Sequence, residues 1–199
     1  YEVRTGVEIN SGMPSTMWIA MGMQEGDKEA GWYNGYSLRT YREECQYQNS
    51  VAKVAAIKEI NSRIKVFEKN PGYAADFYFR KFTSQWNDPT YGCFIMTYAT
   101  ERERNLLGNS LYKGMPKNIL EHFMDAYQLL IYGTVLVLLN RKKKEKNLEW
   151  YVLLIIVIGG ILFSELWEAK SRYVLPYFIM MLPMAAAGLT ELENERRKR

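Results

Sequence analysis

Lys170 and Arg172 stand two residues apart, directly ahead of Tyr173 and Pro176, and Glu165 and Glu168 precede them in the same short stretch. Glu121, His122 and Asp125 form a second group of acids and bases well upstream. Both groups flank long apolar blocks: Ala126–Leu139, Trp150–Phe163 and Tyr173–Leu189. Ionisable side chains at membrane depth are costly, so they face a bundle interior or a water-filled cavity and mark substrate paths or proton relays. The opposing reading is that each simply reaches up to the headgroups, with Trp150, Trp167 and Tyr173 as interface anchors. Taken singly, either reading holds for each residue. For Lys170 and Arg172 the crowding of two cations into one junction with Tyr173 and Pro176 favours a functional role.

The elements that must position these groups follow from length and charge. A helix rises about 1.5 Å per residue and the hydrocarbon core is about 30 Å thick, so the blocks reach only about 21, 21 and 26 Å. Each must recruit flanking residues. The run Arg141–Lys146 lies between the first two blocks, and Glu195–Arg199 follows the third. Short Lys- and Arg-rich segments stay on the cytoplasmic side, and three spans put both there. The recruitment is then expected mainly at the outer ends, drawing in Glu121, His122 and Asp125 on the first helix, Glu165 and Glu168 on the second, and Lys170 and Arg172 before the third. The expected fold is mainly α. A C-terminal bundle of three transmembrane helices, at about 119–140, 148–167 and 172–190, has a cytoplasmic basic loop 141–147 and a cytoplasmic tail 191–199. A mostly helical or irregular extracytoplasmic region occupies 1–118.

The formal net charge of +4 is no sign of nucleic-acid binding, because the segment 141–146 alone carries it. Residues 1–118 are polar, aromatic-rich and nearly balanced in charge. The first residue is Tyr1, and no signal peptide is recognisable. We therefore expect the chain to be the C-terminal part of a longer membrane protein whose upstream portion carries this region across. Cys45 and Cys93 are compatible with a disulfide outside the cell, although unpaired thiols are the default and spacing supplies no geometry. No CxxC, HExxH, P-loop or GxGxxG pattern occurs, and the single histidine is His122, so zinc and Ser-His or Cys-His chemistry have no support.

Within residues 1–118, Glu2–Met13 reads as loop and Pro14-Ser15-Thr16 as the opening of a short helix ending near Gly22. Glu25–Gly35 reads as loop. From Ser50 to Glu68 the pattern is helical: Val54, Ile57, Ile60, Ile64 and Phe67 recur at steps of three and four, with Lys53, Lys58, Glu59, Arg63 and Lys65 on the other face. Pro71 starts a helix over 72–83 with an aromatic stripe of Tyr73, Phe77 and Phe79 to Phe82. Trp86–Thr90 is a turn, and Tyr91–Tyr98 is a strand or a buried helical turn, undecided by periodicity at that length.

The stretch Trp167–Met184 resembles a late element of bacterial membrane glycosyltransferases of the GT-C fold, the protein-mannosyltransferase-like family 39. That family shows K-x-x-Y-x-L-P at the outer start of a late transmembrane helix, matched here by Lys170-Ser171-Arg172-Tyr173-Val174-Leu175-Pro176. Ser15–Met23, Gly31–Tyr36 and Lys81–Tyr91 are similar to stretches of its Gram-positive members, so the likeness covers most of the chain. It implies an enzyme that moves a sugar from a polyprenyl-phosphate donor to an extracytoplasmic glycan, lipid or protein acceptor at the cell membrane. The catalytic base is an acidic residue of the first external loop, expected upstream of Tyr1. Lys170 and Arg172 would bind the donor phosphate. Lys81 and Trp86, in an external loop over donor or acceptor, and Asp125, Glu168 and Tyr173 would lie near substrate, although packing is the commoner role for Trp86 and Trp18. The resemblance requires no cofactor and leaves room for a divalent metal; its partners are the donor, membrane lipid and the acceptor, not nucleic acid.

A different class competes: a non-catalytic, membrane-anchored protein whose exterior recognises or scaffolds an envelope polymer. It accounts equally for the aromatic-rich exterior and the topology. A transporter half would want polar or Gly/Pro breaks at mid-membrane, whereas Gly159-Gly160 lies towards the outer side, which makes this the weakest reading.

Overall fold

A computed structural model describes residues 12–94, 106–141 and 148–198. It is mainly helical, and no strand occurs among the described residues. The predicted loop at Glu2–Met13 as far as Ser11, the C-terminal half of Tyr91–Tyr98 and the basic run after Arg141 lie outside those residues. The chain forms two compact units, Tyr1–Phe82 with Ser164–Ala169, and Thr83–Phe163 with Lys170–Arg199. The division therefore falls at Phe82, inside the region expected to be continuous to residue 118, and the loop after the second apolar block joins the first unit.

The first unit is built on α1 (Thr16–Gly22), α2 (Tyr36–Arg39) with a π-helical turn Thr40–Glu44, α3 (Asn49–Lys69) and most of α4 (Pro71–Trp86). Met17 and Ala20 of α1 pack on Ala52 and Ala56 of α3, with Cys45 alongside. A second cluster joins Met23, Ala30, Phe67 and Phe77. The helix α3 forms as its period predicts, but the packed face differs from the stripe of large aliphatics. Val54 is 69% exposed and Ile57 and Ile64 are exposed, whereas Ala52 and Ala56 are fully buried. Small side chains let two helices approach closely, and that proximity outweighs the larger residues' appetite for burial. Arg63, expected on the polar face, instead donates from Nε to the Met23 carbonyl at 2.7 Å and lies over the Phe67 ring at 5.0 Å. Pro71 occupies the first position of α4, as expected. The aromatic stripe on α4 is only partly inward, with Phe77 buried and Phe79 exposed.

The second unit holds the end of α4, α5 (Leu106–Tyr112), α6 (Gly114–Arg141), most of α7 (Leu148–Leu166), a 3-10 turn Ser171–Tyr173 and α8 (Leu175–Lys198). Helices α6, α7 and α8 are long and apolar enough to cross a membrane. At 28, 19 and 24 residues they extend about 42, 29 and 36 Å, against a core of about 30 Å. The extra length of the first helix lies at its N-terminal end, which reaches back to Gly114. At the third it comes from the tail, which stays helical to Lys198, because Lys170 precedes the 3-10 turn and α8 starts only at Leu175. Glu168 also lies beyond α7 rather than within it.

Helices α6 and α8 pack through Gln128, Ile131, Thr134, Val135 and Leu138 against Phe178, Met181, Met184, Ala185 and Gly188. A Cβ on Gly188 would collide with the Thr134 carbonyl oxygen, so the two backbones touch there. With lipid no less apolar than leucine, such close packing is what holds membrane helices together. Arg141 and Glu195 form an ion pair between the far ends of the two helices.

Candidate functional site

The junction before α8 is organised by short local bonds in the second unit. Tyr173 N–H donates to the Lys170 carbonyl and Val174 N–H to that of Ser171, both at 3.0 Å, closing the 3-10 turn. Pro176 sits in the first turn of α8, where its missing N–H is not needed. The Lys170 N–H donates to Oε1 of Gln85, a fully buried amide, at 3.2 Å. Turn geometry then brings both cations to one ring: Lys170 Nζ lies 5.8 Å and Arg172 Cζ 5.6 Å from the Tyr173 centroid. A ring face attracts cations through its quadrupole and stiffens their side chains. Two neighbouring positive charges on a rigid platform suit a small polyanionic group such as a phosphate. Lys170, Arg172 and Tyr173 are thus gathered as the sequence led us to expect.

Trp86 belongs to the same unit but serves packing. It is the last residue of α4, 2% exposed, and it stacks on Tyr177 at 6.3 Å. Its carbonyl accepts the Tyr132 hydroxyl at 2.8 Å. It therefore lies on a helix in the interior and not in a covering loop. Asp125 pairs loosely with His122, 3.8 Å apart on α6, and both line a cavity in this unit.

Lys81 and Glu168 belong to the first unit. Lys81, expected in a loop near substrate, is on α4 and fully buried. Its Nζ donates to the Gly22 carbonyl at 2.6 Å and to the Glu165 carbonyl at 2.7 Å. Gly22 ends α1 and Glu165 lies in the last turn of α7. Both carbonyls belong to the set that a helix leaves without intrahelical partners, and a cation at a helix C-terminus is favoured by the dipole. Gly22 is required by proximity, since a Cβ there would lie 2.5 Å from the Trp167 carbonyl oxygen. Burial pushes the Lys81 ammonium down to about 8, opposed by the neighbouring Glu165 carboxylate. A neutral amine still has two N–H bonds, enough for both carbonyls. Both Glu165 carboxyl oxygens are buried with no hydrogen-bond partner. Glu168 is 1% exposed, Trp167 stacks on Trp18 at 6.5 Å, and Ala169 N–H donates to the Gly31 carbonyl at 2.8 Å. This cluster cements the loop after α7 onto the first unit.

Among the described residues no three His, Cys, Asp or Glu side chains gather as a metal-binding group. Cys45 is a buried free thiol and Cys93 an exposed one. Gln85 and the cavity residues Phe94, Tyr112 and Lys113 escaped the sequence reading; only the turn signal at Asn87-Asp88-Pro89 pointed near them. Set against family models, curated proteins and solved structures, the chain matches none.

Proposed function

We propose that this chain is part of an integral membrane glycosyltransferase that moves a sugar from a polyprenyl-phosphate donor to an acceptor outside the cytoplasm, with Lys170 and Arg172 holding the donor phosphate. The observation that carries the reading is the pair of cations over one tyrosine ring at the start of a helix apolar enough to cross a membrane. In such a transfer the acceptor hydroxyl attacks the anomeric carbon, the bond from that carbon to the phosphate oxygen breaks, and the phosphate leaves with the electron pair. Charge grows on the leaving phosphate, and fixed cations stabilise it more in the transition state than in the ground state. These residues bind the donor; deprotonation of the acceptor is assigned to none of them. The likeness of Lys170–Pro176 to the K-x-x-Y-x-L-P pattern supports the same reading.

The test is sugar transfer by the full-length protein carrying Lys170→Ala or Arg172→Ala. Each is expected to lower turnover by about 100-fold with unchanged membrane insertion, and Arg172→Lys to recover only part, since a point charge does not replace a planar fork. Wild-type rates in both alanine variants would remove the assignment.

A further inference from the structure

The second unit contains an open cavity of about 500 Å³, within the size range of small-molecule sites, lined by the 88–90 turn, Phe94, Tyr112 and the first turns of α6. We infer that it binds an uncharged saccharide. Three features of its walls point there.

The first is rigidity. The Asp88 carboxylate accepts from Thr90 N–H at 2.9 Å, Thr90 Oγ1 at 2.6 Å and Gly92 N–H at 2.7 Å. Those bonds hold Tyr91 at φ 51°, a left-handed conformation that costs a non-glycine residue about 1 kcal/mol or more. A wall fixed before the ligand arrives loses little entropy on binding.

The second is an apolar corner. The Phe94 and Tyr112 rings meet edge to face, 5.4 Å apart and at 81°. Ring faces pack against the C–H face of a pyranose.

The third is charge. On α6, Lys117 pairs with Glu121 at 3.3 Å, and His122 lies 3.8 Å from Asp125. The wall is dense in donors and acceptors, with three carboxylates, Asp88, Glu121 and Asp125, set among two lysines, Lys113 and Lys117. An anion would meet three carboxylates, and no metal-binding group is present among the described residues. A polyhydroxylated neutral ligand suits such a wall, since each hydroxyl both donates to a carboxylate and accepts from an ammonium. His122 and Asp125 have accessible side chains, 84% and 56% exposed.

The inference goes beyond the transferase reading and does not need it, because binding requires no transfer. The test is saturation-transfer NMR on the full chain in lipid nanodiscs, with methyl glucoside, methyl galactoside and N-acetylglucosamine as probes at millimolar concentration and inorganic phosphate as competitor. At least one probe is expected to bind, about tenfold more weakly to Asp125→Ala and with loss of ring contacts in Tyr112→Ala, both variants keeping wild-type helical content. Lys170→Ala and Arg172→Ala should bind the probe normally. No binding by any probe, wild-type binding in both cavity variants, or displacement by phosphate would overturn the proposal. Normal sugar transfer in the Lys170 and Arg172 variants would sink the transferase reading while leaving this result untouched.

Discussion

Lys81 shows how far a residue's partners can lie from what its neighbours in sequence suggest. Its two carbonyl acceptors are 59 and 84 residues away, and with Glu165 they make it a support at two helix ends. Lys81→Met keeps the stem but leaves those two carbonyls without a donor. Leaving buried acceptors unpaired in this way costs about 1–3 kcal/mol each, to be read from denaturant unfolding of the full chain in micelles. The pH dependence has a definite sign. With the folded value lowered to about 8 and the unfolded one at about 10.4, the unfolded chain holds the extra proton between these limits. The contribution of Lys81 to stability therefore rises with pH across that window. A wild-type stability curve flat from pH 8 to 10, or one unchanged in Lys81→Met, would contradict this.

At the scale of elements, the crossing of α6 and α8 depends on one missing side chain. Gly188→Ala would drive a methyl group into the Thr134 carbonyl and force the helices apart, costing about 1–3 kcal/mol as overpacking does. Gly133→Ala, on the same pair of helices but with nothing within 4 Å of its Cβ, is the control; it should gain about 0.5–1 kcal/mol through the ordinary preference of helices for alanine. Equal effects of the two substitutions in thermal unfolding would mean that α6 and α8 do not touch at Gly188. The existence of α3, α4 and the three long helices was readable from period, prolines and apolar length. The packed side of α3 was not, because periodicity marks where large apolar groups recur, whereas contact followed Ala52 and Ala56, where helices can come closest.

For the whole molecule, the proposed reading requires Arg141–Lys146 and the basic tail to stay on the cytoplasmic side of the membrane. Lys and Arg near span ends are retained on the cytoplasmic side because carrying them across is costly. With Cys45 and Cys93 replaced by serine, a cysteine introduced at Asn118 is expected to react with an impermeant maleimide on intact cells, and one at Lys144 only after lysis. Labelling of Lys144→Cys on intact cells would invert the topology and place the Lys170–Arg172 junction on the wrong side for an externally facing donor.

Composition and pattern were enough for a mainly helical chain with three apolar helices, and for the meeting of Lys170, Arg172 and Tyr173. The reason is reach: residues within one turn of backbone are neighbours whatever the rest of the chain does. Lys81 between two helix ends, Trp86 inside, Asp125 on a cavity wall and the helix contact at Gly188 each depend on segments brought together only by folding. No local period or spacing encodes such distances, and the tertiary structure alone decided them.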